Sequence, residues 1–151
     1  MSVALEFAFE ARVRVAPPLI VGDGPNGLRR IVPILGGRCS GPGFEAEVLP
    51  GGADWQVVRA DGVLQLEARY TLRLPDDTLV QVINRGMRHG PKEVLEQIFR
   101  GEAVDPREYY FRTVAEFEAP RGPHEWLNRA LFLGEAERRI DEAIVRFHRV
   151  C

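Results

Sequence analysis

The chain has 151 residues, of which 45% are hydrophobic and 28% charged, and its formal net charge is −2. This length and composition are typical of one globular domain, and the charge balance argues against a nucleic-acid-binding protein or a membrane-surface protein. No apolar run reaches the length of a membrane-spanning helix. The two cysteines, Cys39 and Cys151, match neither a disulfide framework nor a metal motif. We therefore expect a soluble, reduced, cytoplasmic protein without a metal ion.

The first predicted element is a long β-strand. Apolar residues occupy every odd position from Val3 to Val15, and charged residues occupy several of the even positions between them. This period of two predicts a strand with one apolar face. Pro17-Pro18 ends the strand, because proline cannot donate to a ladder. The segment Gly22–Gly27 is rich in turn-forming residues and is predicted to be a loop.

The middle of the chain predicts several further strands. Asp61-Gly62 is typical of a two-residue hairpin, and the strand after it alternates from Leu64 to Leu74 between an apolar and a polar face. The strands predicted in this part of the chain cover residues 29–35, 44–49, 55–59, 64–74 and 79–84.

One short helix interrupts the strands. Pro91 suits a first helical position and Gly101 a C-terminal cap, and the apolar residues between them form one stripe, which predicts a helix over residues 91–100. After it, the pattern predicts strands over residues 109–118, 126–133 and 140–150. The last of these is favoured over a helix because Ile144, Phe147 and Val150 do not form a clean helical stripe.

These elements predict an all-β domain spanning residues 1–151. Long strands with short connections favour an antiparallel β-barrel of about eight to ten strands with one short helix. A period of two does not decide which face of a strand is inside. With the polar faces inside, the apolar exterior would need a cover, and this arrangement favours a homo-oligomer.

Acidic, basic and aromatic residues on the predicted strands are candidate site residues. Asp54 and Trp55 follow Gly51-Gly52, an arrangement that suits either a tight turn with Trp55 in the core or a carboxylate and an aromatic wall at a cavity mouth. Glu67 shares a strand face with Arg69. This pair is either a solvated surface ion pair or an anion-binding arginine with its orienting carboxylate.

Three further candidates lie later in the sequence. Arg85 ends a strand, where it marks either a turn or a ligand contact. Tyr110 and Arg112 share one strand face, and an aromatic ring beside a guanidinium can bind a ligand by stacking and charge. Trp126 and Asn128 share another. The three histidines suggest surface positions and no metal motif, and no phosphate-binding loop or dinucleotide fingerprint is present.

Several short motifs resemble a known family. They are Gly41-Pro42, Val48–Trp55, Leu66–Tyr70, Tyr110–Thr113 and Trp126–Asn128, and in this order they resemble the domain of unknown function 3237 over nearly the whole chain. Two departures are Ala46, where glycine is expected, and Glu67, where aspartate is expected. The resemblance implies a compact antiparallel β-barrel and supplies no reaction. It implies that the matching polar and aromatic positions converge, namely Asp54, Trp55, Arg69, Arg112, Trp126 and Asn128.

Two functions fit these residues. The first is a cofactor-independent lyase, isomerase or hydratase acting on a small organic acid or carbonyl compound. Asp54 or Glu67 would serve as general acid or base, and Arg69, Arg85 or Arg112 would hold a carboxylate or oxyanion. The alternative is a non-catalytic protein that binds a small anionic or aromatic ligand. A third possibility, a purely structural or interaction domain, predicts an exposed apolar patch and no interior cavity.

Overall fold

The computed structural model describes residues 1–151 as ten β-strands and one α-helix. Two short 3₁₀ helices, Pro106–Glu108 and Glu125–Arg129, lie between strands. The strands are β1 (Leu5–Val15), β2 (Leu19–Gly24), β3 (Gly27–Gly41), β4 (Phe44–Val48), β5 (Ala53–Val58), β6 (Leu64–Arg73), β7 (Leu79–His89), β8 (Tyr110–Glu118), β9 (Phe132–Arg138) and β10 (Glu142–Val150), and the helix is α1 (Lys92–Phe99). No helix is both long and apolar enough to span a bilayer.

Eight of these strands close into an antiparallel barrel in the order β1-β3-β5-β6-β7-β8-β9-β10, with β10 pairing back to β1. The remaining strands are β4, which pairs with β3 and β6, and β2, which pairs only with β3. Closure brings β1 and β3 very close at Gly37, whose φ is 142° and where a Cβ atom would lie 2.0 Å from the Arg12 carbonyl oxygen. Glycine is required there. The predicted all-β barrel is confirmed.

The apolar face of each long strand points into the barrel. Leu64, Leu66, Tyr70 and Leu72 of β6 are buried, and the polar residues between them face outward. Self-association was expected because it would cover an apolar exterior. These strands have no such exterior, because their apolar faces are buried inside the barrel and removed from water. Self-association stays a prediction.

The two ends of the barrel are closed differently. One end is packed with aromatic rings, which stack or meet edge to face at centroid distances from 4.2 to 5.5 Å and are Phe9, Phe44, Phe117, Phe132 and Phe147. Full burial of such a side chain contributes about 1.5–3 kcal/mol. The other end is covered by α1, whose apolar stripe of Val94, Leu95 and Ile98 packs against the core. The end beneath the helix is polar inside.

The structure corrects two predicted segments. The segment Gly22–Gly27, predicted to be a loop, is the hairpin that joins β2 to β3, and β2 itself was not predicted. The strand predicted over residues 126–133 begins only at Phe132. Trp126 and Leu127 are neighbours that both pack on the core, which a strand forbids because successive side chains point to opposite faces. The predicted strand near the C-terminus is confirmed.

Candidate functional site

Three arginines point into the barrel at the end beneath α1. Arg30 on β3 and Arg88 on β7 are each only 6% exposed, and Arg138 on β9 is half-buried. Each continues the inward stripe of its own strand. A carboxylate, Asp54 of β5, lies in the interior, and it is the one carboxylate among the groups that shift the pKa of Arg30 or Arg88. The cluster therefore carries an excess of positive charge on side chains that are largely buried.

A hydrogen-bonded relay connects one arginine to this carboxylate. Arg30 Nε donates to Gln56 Oε1 at 2.8 Å, and Gln56 Nε2 donates to Asp54 Oδ2 at 2.8 Å. The β3–β5 pairing sets Arg30 opposite Gln56, so strand register holds the relay in place. Gln56 is itself 3% exposed. Because both of its ends are engaged, its amide orientation is fixed, and Asp54 is held by one oxygen only.

Arg88 has no such partner. Its guanidinium makes no hydrogen bond and no ion pair with any other residue, and its only directional contact is with the Phe111 ring, 5.3 Å from the centroid. Burial, together with the charges of Arg30 and Arg138, lowers the pKa of Arg88 to about 10. It remains protonated at neutral pH. A buried charge without a partner is costly, so this side chain favours the binding of an anion.

The free oxygen of Asp54 belongs to a residue that lines a small interior cavity. Asp54 Oδ1, Asn84 Oδ1 and Thr113 Oγ1 are buried, make no hydrogen bond, and belong to residues lining the same cavity of about 40 Å³. A water molecule needs roughly 10–15 Å³ measured in this way, so the space suits a few waters. Ala68 lies between Asp54 and Asn84 in the strand pairing, and its small side chain leaves that space open.

Burial dominates the titration of Asp54. It raises the pKa of Asp54 to about 6, although the hydrogen bond from Gln56 and the charges of Arg88, Arg138 and Arg30 act in the opposite direction. A carboxyl group with this pKa is populated in both protonation states near neutral pH, as general acid–base catalysis requires. Perturbed pKa values of this kind cluster at functional sites.

Two openings lead from solvent to the arginines. A cleft of about 770 Å³ lies between α1 and the β5–β6 hairpin and reaches Arg30 and Arg88. A smaller cleft of about 190 Å³ lies on the other side of α1 and reaches all three arginines. Phe99 of α1 borders both clefts, and its ring lies 5.4 Å from the Arg30 guanidinium carbon. The larger cleft falls within the volume range of small-molecule sites.

Of the predicted site residues, only Asp54 lies in this interior. Glu67 lies on the outer face of the barrel, where it accepts hydrogen bonds from Arg69 Nε at 2.9 Å and Arg85 Nε at 2.6 Å. Both arginine side chains are more than half exposed. These hydrogen bonds lower the pKa of Glu67, so it stays ionised. The outward direction follows from β6, whose even-numbered residues carry the apolar face.

The remaining predicted residues also lie away from Asp54. Trp55 and Tyr110 are 40% and 46% exposed on the outer surface, and Arg112 lies over the Tyr110 ring at 5.9 Å. Trp126 packs at the aromatic end of the barrel. Asn128 accepts from the Ala119 amide at 2.7 Å and donates to its carbonyl at 2.9 Å. The expected convergence is therefore wrong, because these residues belong to outward positions or to the opposite end.

The sequence does contain a signal for the residues that were missed. On β7 the inward parity runs Val80, Val82, Asn84, Gly86, Arg88, so the buried polar residues continue an apolar stripe. On β3 Arg30 precedes Val32 and Ile34 at the same parity. A polar residue at the apolar parity of a strand indicates an interior polar group.

Comparison with known proteins places the chain in a family. The family model described as "Protein of unknown function (DUF3237)" matches residues 3–150. A UPF0311 protein of Rhodopseudomonas palustris is 40% identical over 145 residues, which cover 96% of this chain and 95% of that protein. A UPF0311 protein of Clostridium acetobutylicum is 38% identical over 146 residues, or 96% and 92% of the two chains.

Solved structures show the same barrel. A conserved protein of unknown function from R. palustris superposes with a TM-score of 0.97 at 38% identity, covering 100% of this chain and 99% of that one. An enzyme from Penicillium herquei superposes with a TM-score of 0.74 at 20% identity, covering 100% and 96%, a likeness that shows the fold alone. By sequence and by fold, the chain belongs to the DUF3237 family of β-barrel proteins.

Proposed function

We propose that the protein is a cofactor-independent enzyme that moves a proton on a small organic acid or carbonyl compound, with Asp54 as the general acid–base. The observation that carries the proposal is the buried Asp54 carboxyl group with one free oxygen, connected through Gln56 to a cluster in which arginines are in excess. Reactions of this class are isomerisation, elimination and addition of water. Each needs a proton acceptor, a proton donor and a stabilised oxyanion.

The proposed chemistry uses groups that the interior already positions. Ionised Asp54 takes a proton from the carbon next to a carbonyl group, directly or through one water in the cavity it shares with Asn84 and Thr113. The electrons of the broken C–H bond move to the carbonyl oxygen, and Arg88 or Arg30 stabilises the enolate. Protonated Asp54 then returns the proton to another atom of the same conjugated system.

The surroundings of Asp54 support this proposal over one based on Glu67. Glu67 is ionised, exposed and engaged by two arginines, so it is a poor proton carrier. The candidate ligand-binding roles of the outer residues Trp55, Tyr110 and Arg112 stay predictions. The P. herquei enzyme supports the proposal only as a precedent for an enzyme on this type of barrel.

The alternative is a non-catalytic binding protein for a small anionic ligand, and the unpaired Arg88 is the observation that favours it. Binding needs the arginines but no proton transfer at Asp54. We propose a cytoplasmic location for either function. Cys39 and Cys151 are both unpaired, and burial raises the pKa of the Cys39 thiol to about 12, which fits a reducing compartment.

Hydrogen exchange at carbon tests the proposal without knowledge of the full reaction. The protein is incubated in D₂O with 2-oxo acids and aryl-substituted carbonyl acids such as phenylpyruvate, and deuterium uptake at carbon is followed by NMR. We expect exchange above the buffer rate, a loss of at least about 100-fold in Asp54→Asn, and no loss in Asp23→Asn. Asp23 is an exposed residue of β2 without a side-chain partner, and it controls for the loss of one surface carboxylate.

Three outcomes would count against Asp54 as the acid–base. Equal exchange by wild type and Asp54→Asn would rule out Asp54 as the group that transfers the proton. Loss of exchange in Glu67→Gln alone would move the chemistry to the outer surface. Tight binding of the acids without any exchange would favour the non-catalytic alternative.

A further inference from the structure

The unpaired guanidinium of Arg88 identifies part of the ligand. Arg88 is 6% exposed and borders both clefts that open beside α1. Arg30 and Arg138 border the smaller cleft with it. The carboxylates that act on the three positive charges are Asp54 in the interior and, at Arg138 only, the exposed Asp141. Asp54 already accepts a hydrogen bond from Gln56 and makes none with an arginine. The interior therefore leaves a compact anionic group to be provided from outside.

The polar contacts of the other two arginines leave donors free as well. Arg30 uses Nε for Gln56 and has no further hydrogen bond, and Arg138 Nη1 donates to the carbonyl oxygens of Arg139 and Glu142 at 2.6 and 3.2 Å. A guanidinium presents five N–H donors in a planar fork that matches a carboxylate in two parallel bonds. Arg88 offers its whole fork.

The larger cleft indicates what is attached to the anion. It has a volume of about 770 Å³, far more than acetate or an inorganic ion fills, and Arg30 and Arg88 are among the residues that line it. Its apolar walls come from three parts of the fold: β3, the β5–β6 hairpin and α1. The apolar residues that line it include Leu28, Val58, Leu64, Leu95 and Phe99. Such walls favour an apolar body of ring size.

We propose that this site binds a carboxylic acid with an apolar, ring-sized body, its carboxylate on Arg88 with Arg30 and Arg138 and its body in the cleft between α1 and the β5–β6 hairpin. The inference deepens the proposed function and rests on it for the reacting group, Asp54. Arg30 is connected to Asp54 through Gln56, so the carboxylate end of the ligand is the end that lies on the Asp54 side of the site. Phe99 of α1 separates the two clefts and lies against the body of the ligand.

Calorimetric titration with matched probes tests the proposal. The probes are 3-phenylpropanoate, its neutral analogue 3-phenylpropanamide, acetate and inorganic phosphate. We expect 3-phenylpropanoate to bind at least about 10-fold more tightly than each of the other three, because charged hydrogen bonds at a buried site contribute about 10- to 100-fold in affinity. Equal binding of the acid and the amide would overturn the carboxylate assignment. Phosphate binding as tight as that of the acid would reduce the site to a general anion site.

Variants assign the carboxylate to Arg88. Arg88→Gln should weaken 3-phenylpropanoate binding about 10- to 100-fold while leaving the weak binding of the amide unchanged. Arg88→Lys, which keeps the charge and loses the fork, should fall between. Arg73→Gln is the matched control, because Arg73 is exposed on the outer face of β6. Unchanged affinity in folded Arg88→Gln would overturn the proposal, and so would the absence of binding by every probe at millimolar concentration.

The outcome is separable from that of the proposed function. Asp54→Asn should retain binding of 3-phenylpropanoate even where it loses hydrogen exchange. Binding that depends on Arg88 without any exchange would keep the carboxylate site and remove the acid–base chemistry. If exchange depends on Asp54 but binding does not depend on Arg88, the acid–base chemistry is kept and the carboxylate site is removed. A rise in the unfolding temperature with added 3-phenylpropanoate provides a second measure of binding in any variant that folds.

Discussion

The substitution Asp54→Asn should stabilise the folded protein at neutral and alkaline pH. The ordinary pKa of this carboxyl group is 3.8, and burial raises it to about 6 in the folded state. Below about pH 3 both states hold the proton, so the group costs no stability. Between pH 4 and 6 the unfolded chain loses its proton first, and above pH 6 the folded protein carries the full cost of a buried carboxylate. A shift of about two pKa units corresponds to about 3 kcal/mol.

Asparagine removes that titration and keeps the shape of the side chain. Its carbonyl oxygen can accept the hydrogen bond that Gln56 Nε2 now gives to Asp54. The advantage of Asp54→Asn over wild type should therefore grow by about 3 kcal/mol between pH 3 and pH 8. Urea unfolding at several pH values measures this difference, and subtraction of the wild-type curve cancels the contributions of all other titrating groups. Asp23→Asn, on the exposed strand β2, should show no such growth.

Two results would refute this account of Asp54. A difference that stays flat with pH would mean that the carboxyl group does not titrate near pH 6 in the folded state. A difference that shrinks as the pH rises would mean that Arg30, Arg88 and Arg138 outweigh desolvation and hold the pKa below 3.8. The second result would also remove Asp54 as a proton carrier at neutral pH, and it would leave the arginine cluster as an ion-pair network.

Three further predictions concern stability and are checked by urea unfolding. Asn128→Ala should cost about 1–2 kcal/mol, because it removes the two hydrogen bonds to the backbone of Ala119; wild-type stability would contradict that role. Phe132→Ala should cost about 3–5 kcal/mol, because Phe132 is fully buried among aromatic rings, and a cost below 1 kcal/mol would show that the aromatic end is loosely packed. Gly134→Ala should cost about 1–3 kcal/mol or more, because the new Cβ would lie 2.1 Å from Thr113 Oγ1; a neutral effect would mean that Thr113 is free to move.

The alternation of the sequence determined the strands, and their length favoured a barrel. Strands β1 and β6 were predictable because an apolar stripe with a period of two over ten residues matches a β-strand and no other secondary structure. Helix α1 was predictable from its stripe and its flanking Pro91 and Gly101. Asp54 could be singled out because it follows a Gly-Gly turn. The 3₁₀ helix at Glu125–Arg129 was missed, because only the packing of Trp126 and Leu127 on one core decides it.

The tertiary structure alone decided which face of each strand is inside and which residues meet. Glu67 and Arg69 looked like a site because they are two residues apart on one strand, but closure of the barrel turns that face to solvent. Arg30, Arg88 and Arg138 are 58 and 50 residues apart in sequence, and they meet because β3, β7 and β9 run to the same end of the barrel. Local periodicity determines which residues of a strand share a face. Which of the two faces points into the barrel is decided by burial of the apolar face, and this depends on the whole closed sheet.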